Sequence, residues 1–473
     1  MAVMNHAVTI PDTTQGTASA KADDLAGLPK PRRWWAVAAI SFGTSLLVID
    51  GSIANVALPT IARDLGVTNA VVTNVVTIYQ LVLVMLLLPF SSLGDRVGHR
   101  RLYQWGQGVF MVASALCLFA SNLPFLLVLR ALQATGAAMA LSVSAAMLRQ
   151  IYPAKNLGAG LGVNSVIVAS SAAIAPTAGG YIVGHFSWQL VFVVAAPLAI
   201  ISLMMGQALP DPEPQPGRVQ WKSGAWSALT MLLIIGGVQV GTHGQIPLGV
   251  AIVAAGIVSM VLLVRRERRR EAPVLPVDLL AMPVIGLSAL AAMASFIASG
   301  TLMISLPFLL EETYGFDPQT VGLLLLPFPL TMLVISPFAG WLSDRVAATK
   351  LGVGGMVVAT IGLLLLAFMP EDVGKAGIAA RLGLTALGFG FFFSPNTRLL
   401  IGRAPRNRAA AAGGLLSTSR LLGQTLAAVA VGILLAGGMG VGPTPMLFAC
   451  GLAVLAALCS LARFSQRNNP ANR

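Results

Sequence analysis

Only one acidic residue in this 473-residue chain falls deep inside a long apolar run, and it is Asp50. Three arginines share that setting: Arg130, Arg420 and Arg381, the last close enough to a segment end to snorkel toward water. Ionisable side chains in hydrocarbon are costly and mark ion, proton or substrate pathways. Asp50 lies sixteen residues beyond Trp34, about 24 Å along a straight helix. Arg130 lies seven residues beyond Leu123, about 10 Å along an antiparallel one. In a hydrocarbon core about 30 Å thick the two reach similar depth. A guanidinium favours the ionised carboxylate, whereas burial favours the neutral one. A proton or a cationic ligand can therefore compete for Asp50. Mutually exclusive occupancy of one carboxylate is the physical basis of antiport. The alternative open at this point is a buried ion pair that only fixes helix packing.

Further polar groups have the spacing for gating or binding. Asp95, Arg96, Arg100 and Arg101 crowd one short link between apolar runs, and Arg149 ends another run on the same side. A carboxylate there can cap a helix or pair with Arg149, holding that side closed until rocking breaks the contact. The stretch SAAIAPTAGG over 171–180 sets Pro176, Gly179 and Gly180 among small residues, which bends a helix and lets a neighbour approach. Asn55, Gln80, Gln133, Asn164 and Asn396 sit on apolar segments, as cavity lining or as interhelical glue. Glu311 and Glu312 end another run, and Glu311 is a candidate second acid at a cavity mouth. Cys117, Cys450 and Cys459 lie within apolar runs without ligand spacing, so no metal site is expected. There is no G-x-x-x-x-G-K-[ST] loop and no nucleophile constellation. The expectation is a protein that is not an enzyme, needs no cofactor and is driven by a proton gradient.

The elements that hold these groups must be membrane helices. The chain is 56% hydrophobic and 10% charged, with a mean hydropathy of +0.81. A soluble domain carries about 25% charged residues, so lipid is the solvent that such a surface fits. The hydropathy pattern predicts fourteen spans, at 34–58, 71–93, 102–121, 123–148, 158–184, 188–209, 224–241, 247–264, 284–310, 319–342, 351–369, 376–401, 409–437 and 443–463. The net charge of +13 does not point to nucleic acid, because Lys and Arg fall on alternate links. With both termini in the cytoplasm, only Arg63 and Lys375 lie outside, and the densest block, RRERRR over 265–270, is an inner anchor. Residues 1–33 lack the charged start and short apolar core of a signal peptide and read as a cytoplasmic tail.

A repeat divides the chain. Pro89-Phe90 leads into Leu93-Gly94-Asp95-Arg96-Val97, and Pro337-Phe338 leads into Leu342-Ser343-Asp344-Arg345-Val346, one residue longer. Six helices over 34–209 would then match six over 284–463, with an inserted pair in the linker 210–283 and a tail at 464–473. Two parallel six-helix repeats place a binding site between halves near the bilayer midplane.

With these residues in place, the chain resembles the major facilitator superfamily, and within it the fourteen-helix drug:proton antiporter branch, across almost all of 34–463. Ile49 to Pro59 (IDGSIANVALP) is similar to that branch's helix-1 motif, L-D-x-T-x-x-N-V-A-L-P. Leu93 to Arg101 looks like the helix 2–3 loop motif, with Ser91 where Gly normally opens it. Leu126 to Arg130, with Gln133 and Gly136, is similar to the helix-4 motif, whose Arg is linked to proton transfer. Residues 171–180 look like the antiporter motif, with Ala175 in place of the Gly before Pro176. The resemblance implies that Asp50 couples protons and cations and that Arg130 tunes it. Several pumps of the branch carry a membrane acid on helix 10, where this chain has Leu326-Pro327-Phe328-Pro329. Glu311, where relatives are expected to carry Gln, is the candidate replacement.

The expectation is thus a monomeric, multi-pass protein of the bacterial inner membrane with the all-α major facilitator fold. It would export amphipathic, cationic drugs or toxic compounds in exchange for protons. A rival keeps the fold and exports one metabolite, siderophore or lipid. A rival of another class is a membrane binding or sensing protein that does not transport.

Overall fold

A computed structural model describes residues 27–152, 157–211, 221–242, 245–268, 277–370, 372–405 and 408–467. Those residues form helices and connecting turns only. The long helices are α1 (Lys30–Asp64), α2 (Asn74–Val97), α3 (His99–Leu116), α4 (Leu123–Ile151) and α5 (Leu157–His185). α6 comprises Leu190–Val193 and Ala196–Met205, and is followed by α7 (Trp221–Thr242) and α8 (Ile246–Glu267). Then come α9 (Pro283–Glu312), α10 (Pro318–Leu325 and Pro327–Leu342), α11 (Ala348–Ala367), α12 (Lys375–Gly402), α13 (Ala409–Ala436) and α14 (Thr444–Arg467). Thirteen of these spans are long and apolar enough to cross a membrane. α5 is 29 residues long and contains no Asp, Glu, Lys or Arg. Helices are what lipid permits, since each satisfies its own backbone polar groups.

Local chemistry sets the ends and breaks. Asn122 accepts from Phe125 N to start α4, and Asp317 accepts from Thr320 N to start α10. Gly98, at φ 100°, turns the chain between α2 and α3, in a conformation that side chains resist. Two spans expected as single helices are interrupted. Pro327 removes a backbone donor and splits α10 at Leu326, and Pro197 restarts α6 after Val194 and Ala195. α1, in contrast, continues through Pro59 to Asp64 rather than stopping at Leu58.

The packing repeats itself. In the first bundle α1 packs on α5 and α6, α2 on α4, and α3 on α4 and α6. In the second, α9 packs on α13 and α14, α10 on α12, and α11 on α12 and α14. Even the closest crossing recurs. A Cβ on Gly106 would lie 2.6 Å from the Gly136 oxygen, and one on Gly355 would lie 2.7 Å from the Gly388 oxygen. α7 leans on α2 and α13, with Gly224 against Pro89 and Gln239 donating to Asn74 at 2.8 Å. α8 presents Val250, Ile257, Val258 and Leu262 outward, an apolar face suited to lipid.

The two bundles meet along only part of their length. Toward the ends that carry Arg63 and Glu311, Ile304, Phe308, Ala427 and Val431 share one buried cluster with Ile53, Leu58 and Val76. Toward the ends that carry Asp95 and Asp344, the buried clusters of the described residues are separate. Ile40, Tyr103, Val143 and Met147 form one, and Ile285, Leu400, Ala412 and Leu415 another. Among the described residues, the two bundles thus share a core at one end, and at the other, here called the parted end, they do not.

Candidate functional site

α1 carries Asp50 into the first bundle, where it is completely buried, and α4 delivers Arg130, equally enclosed. Arg130 Nη1 lies 3.0 Å from both Asp50 Oδ1 and Oδ2 and donates a third contact to Gln133 Oε1 at 2.8 Å. Nε donates to the Val75 carbonyl of α2 at 3.4 Å. Gln133 passes the network on through Nε2 to Ser114 of α3 at 2.8 Å. The guanidinium lies 4.2 Å from the Tyr79 ring centroid and 5.0 Å from that of Phe192, a cation held against two π faces. The Tyr79 hydroxyl sits beside the Asp50 carboxylate. The pair therefore ties four helices together. Removing one member would leave a buried charge unpaired, at a cost of about 3–5 kcal/mol.

Sealing changes what Asp50 can do. Asp50 has no exposed surface in this conformation, with Arg130 and Tyr79 against its carboxylate, so the expected direct meeting with a cationic ligand is not open to it here. Two expected cavity residues are likewise enclosed. Gln133 belongs to the Arg130 network. Asn396 donates to the Ser288 carbonyl at 3.0 Å and accepts from Arg463 at 2.6 Å within the second bundle. Gln80 is buried, and its Oε1 has no partner among the described residues; neither does Oδ1 of the half-buried Asn55. Asn164 lies 3.3 Å from the Thr44 hydroxyl, linking α5 to α1.

Glu311 belongs to the converged end. Its Oε2 accepts from Arg63 at 2.8 Å, joining α9 to α1, and Glu312 accepts from Asn69 beside it. Thr177 donates to the Gly322 carbonyl at 3.3 Å. Gly179 and Gly180 make the close approaches there: an added Cβ would meet Ile53 at 2.8 Å and the Pro318 oxygen at 2.4 Å. The segment around Pro176 thus forms the α5–α10 seam.

At the parted end the expected gate is not engaged. Asp95 lies 3.0 Å from His99 Nε2, and both Asp95 and Arg96 are exposed. Arg100 is half-buried and Arg101 exposed, with no ion pair to either among the described residues. The Arg149 side chain falls outside the described residues. In the second copy of the loop, Asp344 pairs with Arg398 at 2.6 Å. Tyr79, Ser114 and Phe192 were missed by sequence reasoning, since each looks like an ordinary residue on an apolar helix. Arg463 near the end of α14 is also buried, donating to Ser288, Asn396 and Ser460. Among the described residues no group of His, Cys, Asp and Glu could hold a metal ion.

A repeated six-helix packing with an intramembrane ion pair is the plan of a transporter. The model of the Major Facilitator Superfamily matches residues 40–280 and 288–473. The chain belongs to this superfamily. An uncharacterized transporter of Escherichia coli (strain K12), YebQ, is 40% identical over 448 residues, covering 93% of this chain and 97% of that protein. The multidrug efflux pump LfrA of Mycolicibacterium smegmatis is 30% identical, covering 85% and 80%. The riboflavin transporter RibZ of Clostridioides difficile is 29% identical, covering 84% and 86%. In fold, the chain matches a bacterial homologue of the human lysosomal transporter Spinster, solved inward-facing and unoccupied. The TM-score is 0.66 at 15% identity, over 94% of this chain and 100% of that one. Like other major facilitators, the chain is a multi-pass membrane protein that moves small molecules and is not an enzyme.

Proposed function

We propose that the chain is a proton-coupled exporter of amphipathic drugs or toxic compounds, of the fourteen-helix drug:proton antiporter branch. It acts as a monomer in the bacterial inner membrane with both termini cytoplasmic. The basic links support that orientation, because they gather at the parted end. The parted end then faces the cytoplasm and the Arg63–Glu311 end faces outward, the geometry of a carrier ready to load from inside. The functional division follows the repeat: bundles at 34–209 and 284–463, and an inserted pair within 210–283.

The observation that carries this reading is the sealed Asp50–Arg130 pair joining α1, α2, α3 and α4. Protonation of Asp50 would remove the charge that Arg130 Nη1 grips on both oxygens. The guanidinium would keep Gln133, the Val75 carbonyl and two aromatic faces. The first bundle thereby gains two packings, selected by one proton, and a bistable element of that kind can bias rocking. Asp50 is in this account a coupling residue that need not touch cargo. Asp95, Arg96, Arg100, Arg101 and Arg149 would form the cytoplasmic gate when the parted ends close, and Arg63–Glu311 the outer one. A cargo restricted to one metabolite is the second reading, favoured by the similarity to a riboflavin transporter.

The test is growth protection and efflux in a host lacking other pumps, across an amphipathic compound panel, with Asp50→Asn beside the parent. Concentrative efflux should vanish in the variant under an imposed proton gradient, while downhill exchange persists. Full concentrative efflux by Asp50→Asn would defeat the coupling assignment.

A further inference from the structure

Arg420 is the intramembrane charge that no described contact explains. It lies eleven residues into α13, about 17 Å along the helix and well within the hydrocarbon depth. Its side chain is exposed. An arginine turned into lipid at that depth would be strongly disfavoured. The next residue places this level of α13 at the interface between the bundles. Leu421 belongs to the same buried cluster as Leu46 and Leu83 of the first bundle, so α13 faces across the interface there. One turn before Arg420, Ser417 is exposed, and a Cβ on Gly413 or Gly414 would meet nothing within 4 Å. From the outer seam the bundles touch as far as Leu421, and beyond it their cores part. Arg420 therefore sits at the apex of the open wedge.

No described carboxylate neutralises it. Asp50 is held by Arg130, Glu311 by Arg63, Asp95 by His99, Asp344 by Arg398 and Asp278 by Arg408. A guanidinium stays charged throughout the physiological range and presents a planar fork matched to a carboxylate or sulfonate. In a chamber with low-dielectric walls, an isolated cation attracts anions and repels cations.

We propose that Arg420 makes the apex of the wedge an anion site, and that the cargo, in place of the cation expected from the sequence, is an amphipathic organic anion whose carboxylate or sulfonate docks there. The site stands on the geometry alone, whereas its being a cargo site rests on the exporter reading.

The site is testable without knowing the cargo. Ser417→Cys places a thiol one turn from Arg420, and the native Cys117, Cys450 and Cys459 are buried. Protein in phosphatidylcholine nanodiscs, free of anionic lipid, is labelled with sulfonatoethyl and with trimethylammonioethyl methanethiosulfonate. Each rate is divided by that reagent's rate with free 2-mercaptoethanol. A unit charge about 6 Å away in water alters each rate roughly threefold, in opposite senses. The normalised anion-to-cation ratio should exceed one and fall about tenfold on adding Arg420→Gln, with Arg420→Lys retaining it. An unchanged ratio in Arg420→Gln overturns the site, and so does labelling no faster than in the protein without Ser417→Cys. The cargo arm compares protection of a pump-deleted host from amphipathic carboxylates and sulfonates with protection from quaternary ammonium compounds. Protection from the anions that Arg420→Gln loses supports the proposal. Protection from the cations alone overturns the cargo assignment. If labelling shows the anion preference and no compound of either set is exported, the exporter reading falls and the anion site stands.

Discussion

Gly180→Ala puts a methyl carbon where the α5–α10 seam has no room for one. That carbon would lie 2.4 Å from the Pro318 carbonyl oxygen, 2.9 Å from Gly322 Cα and 3.1 Å from Gly322 N. Ordinary contact begins near about 3.5 Å, so the two helices must separate by roughly 1 Å. Overpacking of this sort costs about 1–3 kcal/mol. The cost falls only on the state in which the seam is closed, and it therefore divides the closed-to-open ratio at that end by roughly 5–150. Spin labels at Phe186 and Thr313, both exposed at this end, report the opening by double electron–electron resonance. The distance distribution should gain a longer component in Gly180→Ala. Gly184→Ala is the control, because its Cβ would find Gln319 at an ordinary 3.4 Å, and its distribution should match the parent. A parental distribution in a folded Gly180→Ala protein would refute the claim that close backbone approach seals this end.

Other perturbations have equally definite outcomes. Gly388→Ala would bring a carbon to 2.2 Å from Ala359 N and 2.5 Å from the Gly355 oxygen, and should lower stability by about 1–3 kcal/mol, read as a lower Tm in detergent. Arg63→Gln strands the enclosed Glu311 carboxylate without its cation, and the same spin labels should show the Glu311 end opening more often. Asp344→Asn removes a pair exposed on both sides, so its effect on stability should stay within about 1 kcal/mol and fade with salt. Asp317 caps α10 outside the spans, and hydrogen bonds from Thr320 hold its carboxyl below the usual range. Its folded-state pKa is thus depressed, so its stabilisation is present above the ordinary carboxylate value of about 3.9 and is lost as pH falls below it. Asp317→Ala should cost about 1 kcal/mol at neutral pH by thermal melting, and less in acid.

The pattern of spans was legible because hydropathy is a local property, summed along about twenty residues whatever the neighbours are. The repeat around Asp95 and Asp344 was legible for the same reason, and so was the matched depth of Asp50 and Arg130, which needs only helical rise. Helix interruptions were harder to read. Proline alone does not decide them, since Pro59 lies within α1 whereas Pro327 follows the break in α10.

What the sequence determined by itself, then, is an α-helical membrane protein of two related halves with one acid in its interior. The tertiary structure decided which of its polar groups are enclosed and which are exposed. Asp50 was expected to meet a cation directly and is enclosed beside Tyr79 and Arg130, while Arg420, with no role assigned, is exposed. Exposure of a side chain depends on helices far away in the sequence and on how two bundles lean together. A one-dimensional pattern records how buried a segment is in lipid, and not which of its faces looks into the protein.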